Sequence, residues 1–190
     1  MFLTPELLEH CYRAGAFPMA GEDGEVELYR ADPRCILEPA DLHVSKSLAR
    51  VIRSGRYEIR VNHDYEAVVR GCADRLETWI SEEIVHAYVA LHRAGKSHSV
   101  EAYRDGRLVG GLYGVALGGF FGGESMFSRT PDASKVCFVA LVGRLIERGY
   151  KLLDCQIYND HLGRLGATEI PEDEFLGRLA DALAVEREFN

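Results

Sequence analysis

Asp154-Cys155-Gln156 sets an acid and an amide two residues apart, directly after the apolar pair Leu152-Leu153. Alternate side chains of an extended strand share a face, so Asp154 and Gln156 are expected to point one way and Cys155 the other. An acid beside an amide at the end of a buried strand could accept a proton and orient a nucleophile. The same pair could equally be a polar strand end hydrogen-bonded to its loops. Glu124 is the second candidate. It lies in Gly122-Gly123-Glu124-Ser125-Met126-Phe127, among small and apolar residues. A carboxylate in such company is seldom buried without a partner or a task. A third set is basic: Lys46, Arg50 and Arg53 recur at i, i+4 and i+7 within 45–54. On a helix that spacing puts them on one face, which is either an ordinary solvated surface or the footprint of a polyanion.

Other elements must position these groups. Thr4-Pro5-Glu6 opens a helix that Gly15 stops, and an acidic loop from Gly21 to Glu27 follows Phe17-Pro18-Met19-Ala20. Asp32-Pro33-Arg34 reads as a turn and marks a boundary between residues 1–31, a small N-terminal domain, and residues 32–190. Cys35-Ile36-Leu37 and Tyr57 to Asn62 read as strands. Asp64 caps a helix to about Ala73, and Ser81 begins another that ends at Gly95. Strands are expected at Ser97 to Arg104, Leu108 to Leu117 and Gly119 to Met126, with Asp105-Gly106 as a two-residue hairpin turn. A helix from Ala133 to Arg148, a buried strand from Leu152 to Ile157 and a helix from Glu172 to Val185 complete the chain. This order predicts an α+β fold on a mixed sheet. It resembles the core of the GNAT acyltransferases, a likeness of fold that fixes no chemistry. Where acetyl-CoA users of that fold carry a Gly-rich pyrophosphate loop, this chain reads Asp132-Ala133-Ser134-Lys135-Val136-Cys137.

Composition narrows the class. The chain has 190 residues, 47% hydrophobic and 27% charged, as in an ordinary globular protein. Apolar runs are broken before the roughly 18 residues of a membrane span, and MFLTPELLEH has no secretory pattern, so a cytoplasmic location is expected. Five scattered cysteines without a C-x-x-C pair fit buried thiols better than disulfides or zinc. The net charge of −8 argues against a general nucleic-acid coat, yet residues 43–60 carry five basic residues against one acidic. An acidic protein with one such patch can hold a polyanion locally.

Several blocks together resemble the signatures of the leucyl/phenylalanyl-tRNA–protein transferases. They include His98-Ser99-Val100-Glu101, Leu108-Val109-Gly110-Gly111-Leu112-Tyr113-Gly114, Gly123-Glu124-Ser125-Met126-Phe127-Ser128, Ala133-Ser134-Lys135 and Asp154-Cys155-Gln156. Phe17-Pro18-Met19, Asp32-Pro33-Arg34, Ser45-Lys46-Ser47-Leu48, Thr78-Trp79-Ile80 and His161-Leu162 extend the likeness over nearly the whole chain. The resemblance implies a bacterial cytoplasmic enzyme of the N-end rule pathway. Such an enzyme moves Leu or Phe from aminoacyl-tRNA to the N-terminal Arg or Lys of an acceptor protein, which marks that protein for degradation. It implies neither a metal nor any other cofactor. Site residues carry over one by one. Asp154 and Gln156 match the catalytic pair, and Glu124 matches the position that contacts the aminoacyl end. Met126, Leu112, Phe121 and Leu153 match an apolar amino-acid pocket, in which Met126 suits both Leu and Phe. Trp79, Tyr88 and Tyr12 match aromatic positions around the terminal adenosine, with Asn159 as a further nucleoside contact. Lys46, Arg50 and Arg53 fall where the family has its basic cluster for the tRNA acceptor stem. Met19 stands where some members have Trp, and Leu28-Tyr29 where some have paired Trp, so adenine stacking at Met19 is expected to be weaker. Two other readings belong to different classes: an acyl-CoA-dependent small-molecule acyltransferase, and a non-catalytic RNA-binding module. Replacing Asp154 with Ala is expected to cut turnover with the fold intact if the transferase reading holds.

Overall fold

The computed structural model describes residues 3–21 and 25–190, so the centre of the acidic loop lies outside the described residues. Helices α1 (Pro5–Arg13), α2 (Lys46–Arg53), α3 (Tyr65–Ala73), α4 (Glu82–Arg93) and α5 (Ala133–Glu147) are followed by the short α6 (Asp160–Gly163) and by α7 (Glu172–Leu183). The strands are β1 (Phe17–Ala20), β2 (Val26–Tyr29), β3 (Arg34–Leu37), β4 (Glu58–Val61), β5 (Ser97–Arg104), β6 (Arg107–Leu117), β7 (Phe120–Ser128), β8 (Leu152–Gln156) and β9 (Thr168–Ile170). The expected α+β fold on a mixed sheet is what forms.

Local chemistry accounts for most boundaries. Thr4, Ser45, Asp64 and Ser81 each accept a hydrogen bond from a backbone N–H in the first turn of the helix they precede. Such caps are worth about 1 kcal/mol each. Asp105 and Gly106 both hold positive φ, 52° and 73°, as a type I′ hairpin turn requires. The β1–β2 hairpin, α6 and β9 were not legible. The first flanks what reads as an acidic loop, with β1 before it and β2 overlapping its end, and the other two are a four-residue and a three-residue element. The pairing of β9 with β3, Arg34 opposite Ile170, shows how a neighbour holds so short a strand.

Seven strands form one sheet in the order β4-β5-β6-β7-β8-β3-β9, and β1-β2 stand apart as a ribbon. Among the described strands β7 and β8 form the parallel pair, and α5 is the crossover that parallel pairing demands. The glycines of β6 let helices approach closely. A Cβ on Gly110 would lie 2.6 Å from Ala133 of α5, and one on Gly111 would lie 3.1 Å from Val68 of α3. Two apolar clusters flank the sheet. One joins Leu8, Tyr12 and Phe17 of the first twenty residues with Tyr88 of α4 and Phe175 of α7. The other joins Leu112, Phe121 and Leu153 of the sheet with Phe138 and Leu141 of α5.

Candidate active site

The parallel pairing of β7 with β8 runs from Phe120 opposite Leu152 to Gly122 opposite Asp154, and stops there. Beyond that point lies a cavity of about 330 Å³. Its lining comes from both sides of the sheet: Phe138 and Leu141 from α5, Arg75 and Trp79 from the segment between α3 and α4. A site at the carboxyl ends of two strands is where α/β sheets commonly hold ligands.

A chain of buried hydrogen bonds forms the polar wall. Arg34 is 1% exposed and Asp154 is fully buried. They form a bidentate pair, Nε to Oδ1 at 2.8 Å and Nη2 to Oδ2 at 2.7 Å. The guanidinium also donates to the Gly15 carbonyl at 2.9 Å and lies over the rings of Phe17 and Phe175, 4.8 and 4.4 Å from their centroids. Asp154 Oδ1 in turn accepts from the Gln156 backbone N–H at 2.9 Å. Gln156 has a φ of 61°, a left-handed conformation that costs a non-glycine residue on the order of 1 kcal/mol and needs surrounding structure to hold it. Its Nε2 donates to Glu124 Oε1 at 2.9 Å, while Glu124 Oε2 accepts from the Tyr88 hydroxyl at 2.9 Å. Tyr88 is bonded to the hydroxyl of Tyr12. Burial pushes the Glu124 carboxyl up to about 7, against the pull of the neighbouring Tyr12 and Tyr88 hydroxyls.

The left-handed turn at Gln156 also changes the simple picture of alternating faces. Leu153, Cys155 and Gln156 line the cavity, and Asp154 does not. Asp154 points to the side of Phe17 and Phe175, where Arg34 meets it, and reaches the cavity only through what it holds. Of the other candidates, Glu124, Met126, Leu112, Leu153, Trp79 and Asn159 line the cavity. Asn159 is also the N-cap of α6, its Oδ1 accepting from the Leu162 N–H at 3.0 Å. Met19 stands in the wall with Trp79, and the Ala20 N–H donates to the Trp79 carbonyl at 3.2 Å, which ties β1 to that edge.

Three expectations need correction. Tyr12 and Tyr88 are 1% and 0% exposed, so neither ring has a face free for an adenine. Their hydroxyls serve Glu124 instead. Phe121 is 0% exposed and outside the cavity lining. Its ring stacks on Phe189 at 5.4 Å and fills the space opposite Gly114, as core.

The residues missed by sequence reasoning are Arg34, Arg75, Phe138 and Leu141. Arg34 belongs to the Asp32-Pro33-Arg34 turn, but nothing in the spacing says which carboxylate, 120 positions away, its guanidinium will meet. Lys46, Arg50 and Arg53 are exposed on α2, and none forms an ion pair with another described residue.

Comparison with known proteins identifies the family. The sequence profile of the family described as "Leucyl/phenylalanyl-tRNA protein transferase" matches residues 36–180, and that of its N-terminal domain matches residues 1–32. A protein of Rubrobacter xylanophilus named "Leucyl/phenylalanyl-tRNA--protein transferase" is 67% identical over 190 residues, covering 100% of both chains. One of the same name from Gloeobacter violaceus is 53% identical over 98% of this chain and 97% of its own. Among solved structures, a GCN5-related N-acetyltransferase from Kribbella flavida aligns with a TM-score of 0.47 at 17% identity, over 86% of this chain and 58% of that one, too distant to carry an argument. Matched over its whole length by relatives of one name, the chain belongs to the leucyl/phenylalanyl-tRNA–protein transferase family.

Proposed function

We propose that the protein transfers Leu or Phe from an aminoacyl-tRNA to the N-terminal Arg or Lys of an acceptor protein, in the bacterial cytoplasm, so that the acceptor is marked for N-end rule degradation. The observation that carries this reading is one cavity in which an apolar wall meets the Gln156–Glu124 pair. Leu112, Met126 and Leu153 take the Leu or Phe side chain, with Phe138 and Leu141 behind them. Met126 supplies a flexible, polarisable wall that fits either. Trp79 and Met19 flank the terminal adenosine, and Asn159 stands at the same rim.

The reaction is aminolysis of an ester. The acceptor's α-amine bonds to the carbonyl carbon, the carbon–oxygen bond to the ribose breaks, and one amine proton ends on the ribose oxygen. With Nε2 committed to Glu124, the Gln156 amide presents its Oε1 as an acceptor for the attacking amine. An amide is too weak a base to keep the proton. Glu124, poised near neutrality, holds it in transit. Asp154 acts through Gln156: it holds the strained backbone that aims the amide, and Arg34 holds Asp154. Orientation of this kind is a large part of what catalysis by approximation requires. Residues 1–31 form a small N-terminal domain that works as a brace, with Phe17 against Arg34 and Met19 in the cavity wall.

The deciding experiment offers purified protein labelled Leu-tRNA or Phe-tRNA and a peptide with N-terminal Arg or Lys. Label is expected on the peptide N-terminus. No transfer from tRNA, together with acetylation from acetyl-CoA, overturns the reading.

A further inference from the structure

A second cavity, of about 480 Å³, lies between α2 and α6, next to the active one. Its polar lining is His43, Ser45, Lys135, His161 and Arg164, and no acidic residue lines it. In a protein of net charge −8 that is an unusual local balance. Like charges gathered on one concave surface repel each other and favour an anion between them. The charges are also held in place. Lys135 Nζ is held by Asp132 at 2.8 Å, a carboxylate that is not itself part of the cavity lining. The His43 N–H donates to the Leu165 carbonyl at 2.9 Å, and a Cβ on Gly166 would lie 2.1 Å from the Asp41 carbonyl, so the turn after α6 is pressed against the loop before α2. Two polar groups are left without partners. The Arg164 guanidinium makes no hydrogen bond or ion pair with a described residue. Nε2 of His161 is buried and unpaired. The imidazole titrates below its usual range, through burial first and then through the charges of Lys135 and Arg164, which places all three in one field.

Position selects the ligand. His161 lines both this cavity and the active one and is the partition between them. Ser45 and Leu48 on the opposite side belong to α2, which carries Lys46, Arg50 and Arg53. A nucleic-acid backbone running from the basic helix to an esterified 3′ end would cross this cavity just before the terminal nucleoside. We propose that the cavity binds the phosphodiester linking the esterified terminal nucleoside to the rest of the strand, with Arg164 and Lys135 as its ionic partners. This rests on the aminoacyl-tRNA reading above.

Two minimal donors that differ by that one linkage make the test. One is phenylalanyl-adenosine, and the other is the phenylalanyl ester of cytidylyl-(3′→5′)-adenosine. Wild type is expected to favour the dinucleotide in kcat/KM. In the double variant Arg164→Gln, Lys135→Gln that preference should shrink at least fivefold, chiefly through KM, and Arg164→Lys should retain most of it. Both side chains are solvent-facing, and an unchanged melting temperature checks the fold. A preference that survives the double variant, or a loss equal for both donors, overturns the proposal. So does binding of inorganic phosphate here without any preference for the dinucleotide, since that marks a free-anion site. Transfer from intact Leu-tRNA separates the two readings: if wild type lacks it, the transferase reading falls and takes this proposal with it; if wild type has it, only the cavity's role is at stake.

Discussion

Two groups of cations in this chain sit in opposite surroundings. Arg34 is buried, doubly bonded to Asp154, bonded to a backbone carbonyl and covered by two aromatic rings. Lys46, Arg50 and Arg53 stand exposed along α2 with no ion pair among the described residues. A buried charge has lost its hydration and is tolerable only where several partners hold it in one geometry. That requirement makes Arg34 a means of fixing shape: through Asp154 it holds the backbone of Gln156, and so the amide that meets Glu124. An exposed charge keeps its water, contributes little to stability and leaves its field free for a ligand. Position therefore separates the two tasks, one set for geometry and the other for attraction.

The largest effect is expected from breaking the buried pair. Asp154→Ala leaves Arg34 without its counter-ion and should lower stability by about 3–5 kcal/mol, measured by denaturant unfolding. The expectation that Ala at 154 spares the fold is revised accordingly. A double variant, Arg34→Met with Asp154→Leu, should regain most of that stability, since apolar replacements of a buried pair are often neutral. Its turnover should stay down by about 100-fold, because nothing then holds the Gln156 N–H. Recovery of activity along with stability would show that the pair serves the fold alone.

Glu124→Gln comes next and separates a buried charge that fixes shape from one that titrates. Glu124 keeps its proton to about 7 when folded but starts from an ordinary value of 4.5. The folded state therefore binds more protons in that window. The group's stabilising contribution is full below about 4.5 and is lost as pH rises towards about 7. Its size is at most roughly 3 kcal/mol. Gln at 124 should flatten this dependence and equal or exceed wild type in stability at pH 8. Turnover of wild type should fall as pH drops below about 7, whereas the variant should be slow and flat across the same range. A variant that keeps the wild-type pH profile would remove Glu124 from the proton path.

The smallest effect on the fold, and the clearest on attraction, belongs to α2. Lys46→Ala, Arg50→Ala and Arg53→Ala together should change stability by no more than about 0.5 kcal/mol. KM for aminoacyl-tRNA should rise, and the slope of log affinity against log salt should fall by about 2–3 if all three meet phosphates. An unaltered slope would return that helix to an ordinary solvated face.

Much of the fold was legible in local chemistry. Capping residues, hairpin turns and apolar periodicity act over a few residues, so Thr4, Asp64, Ser81 and Asp105-Gly106 announce their roles directly. The candidate site was legible in part. Glu124, Gln156, Met126, Leu112, Leu153, Trp79 and Asn159 do meet at one cavity. Tyr12, Tyr88 and Phe121 have the same residue types as a binding wall, yet they are interior. An aromatic ring suits a nucleoside platform and a core equally well, and burial alone tells them apart.

By itself the sequence determined the order of helices and strands, the basic face of α2 and the set of blocks that mark the family. These depend on residue type and short spacing. Only the tertiary structure decided that Asp154 faces Arg34 and not the cavity, because the meeting joins strands from opposite ends of the chain. It likewise decided the turn of Gln156 into a left-handed conformation, which a regular strand would not predict. The raised proton affinity of Glu124 was also settled there, since the desolvation that raises it, against the pull of Tyr12 and Tyr88, exists only once the chain is folded around the carboxyl.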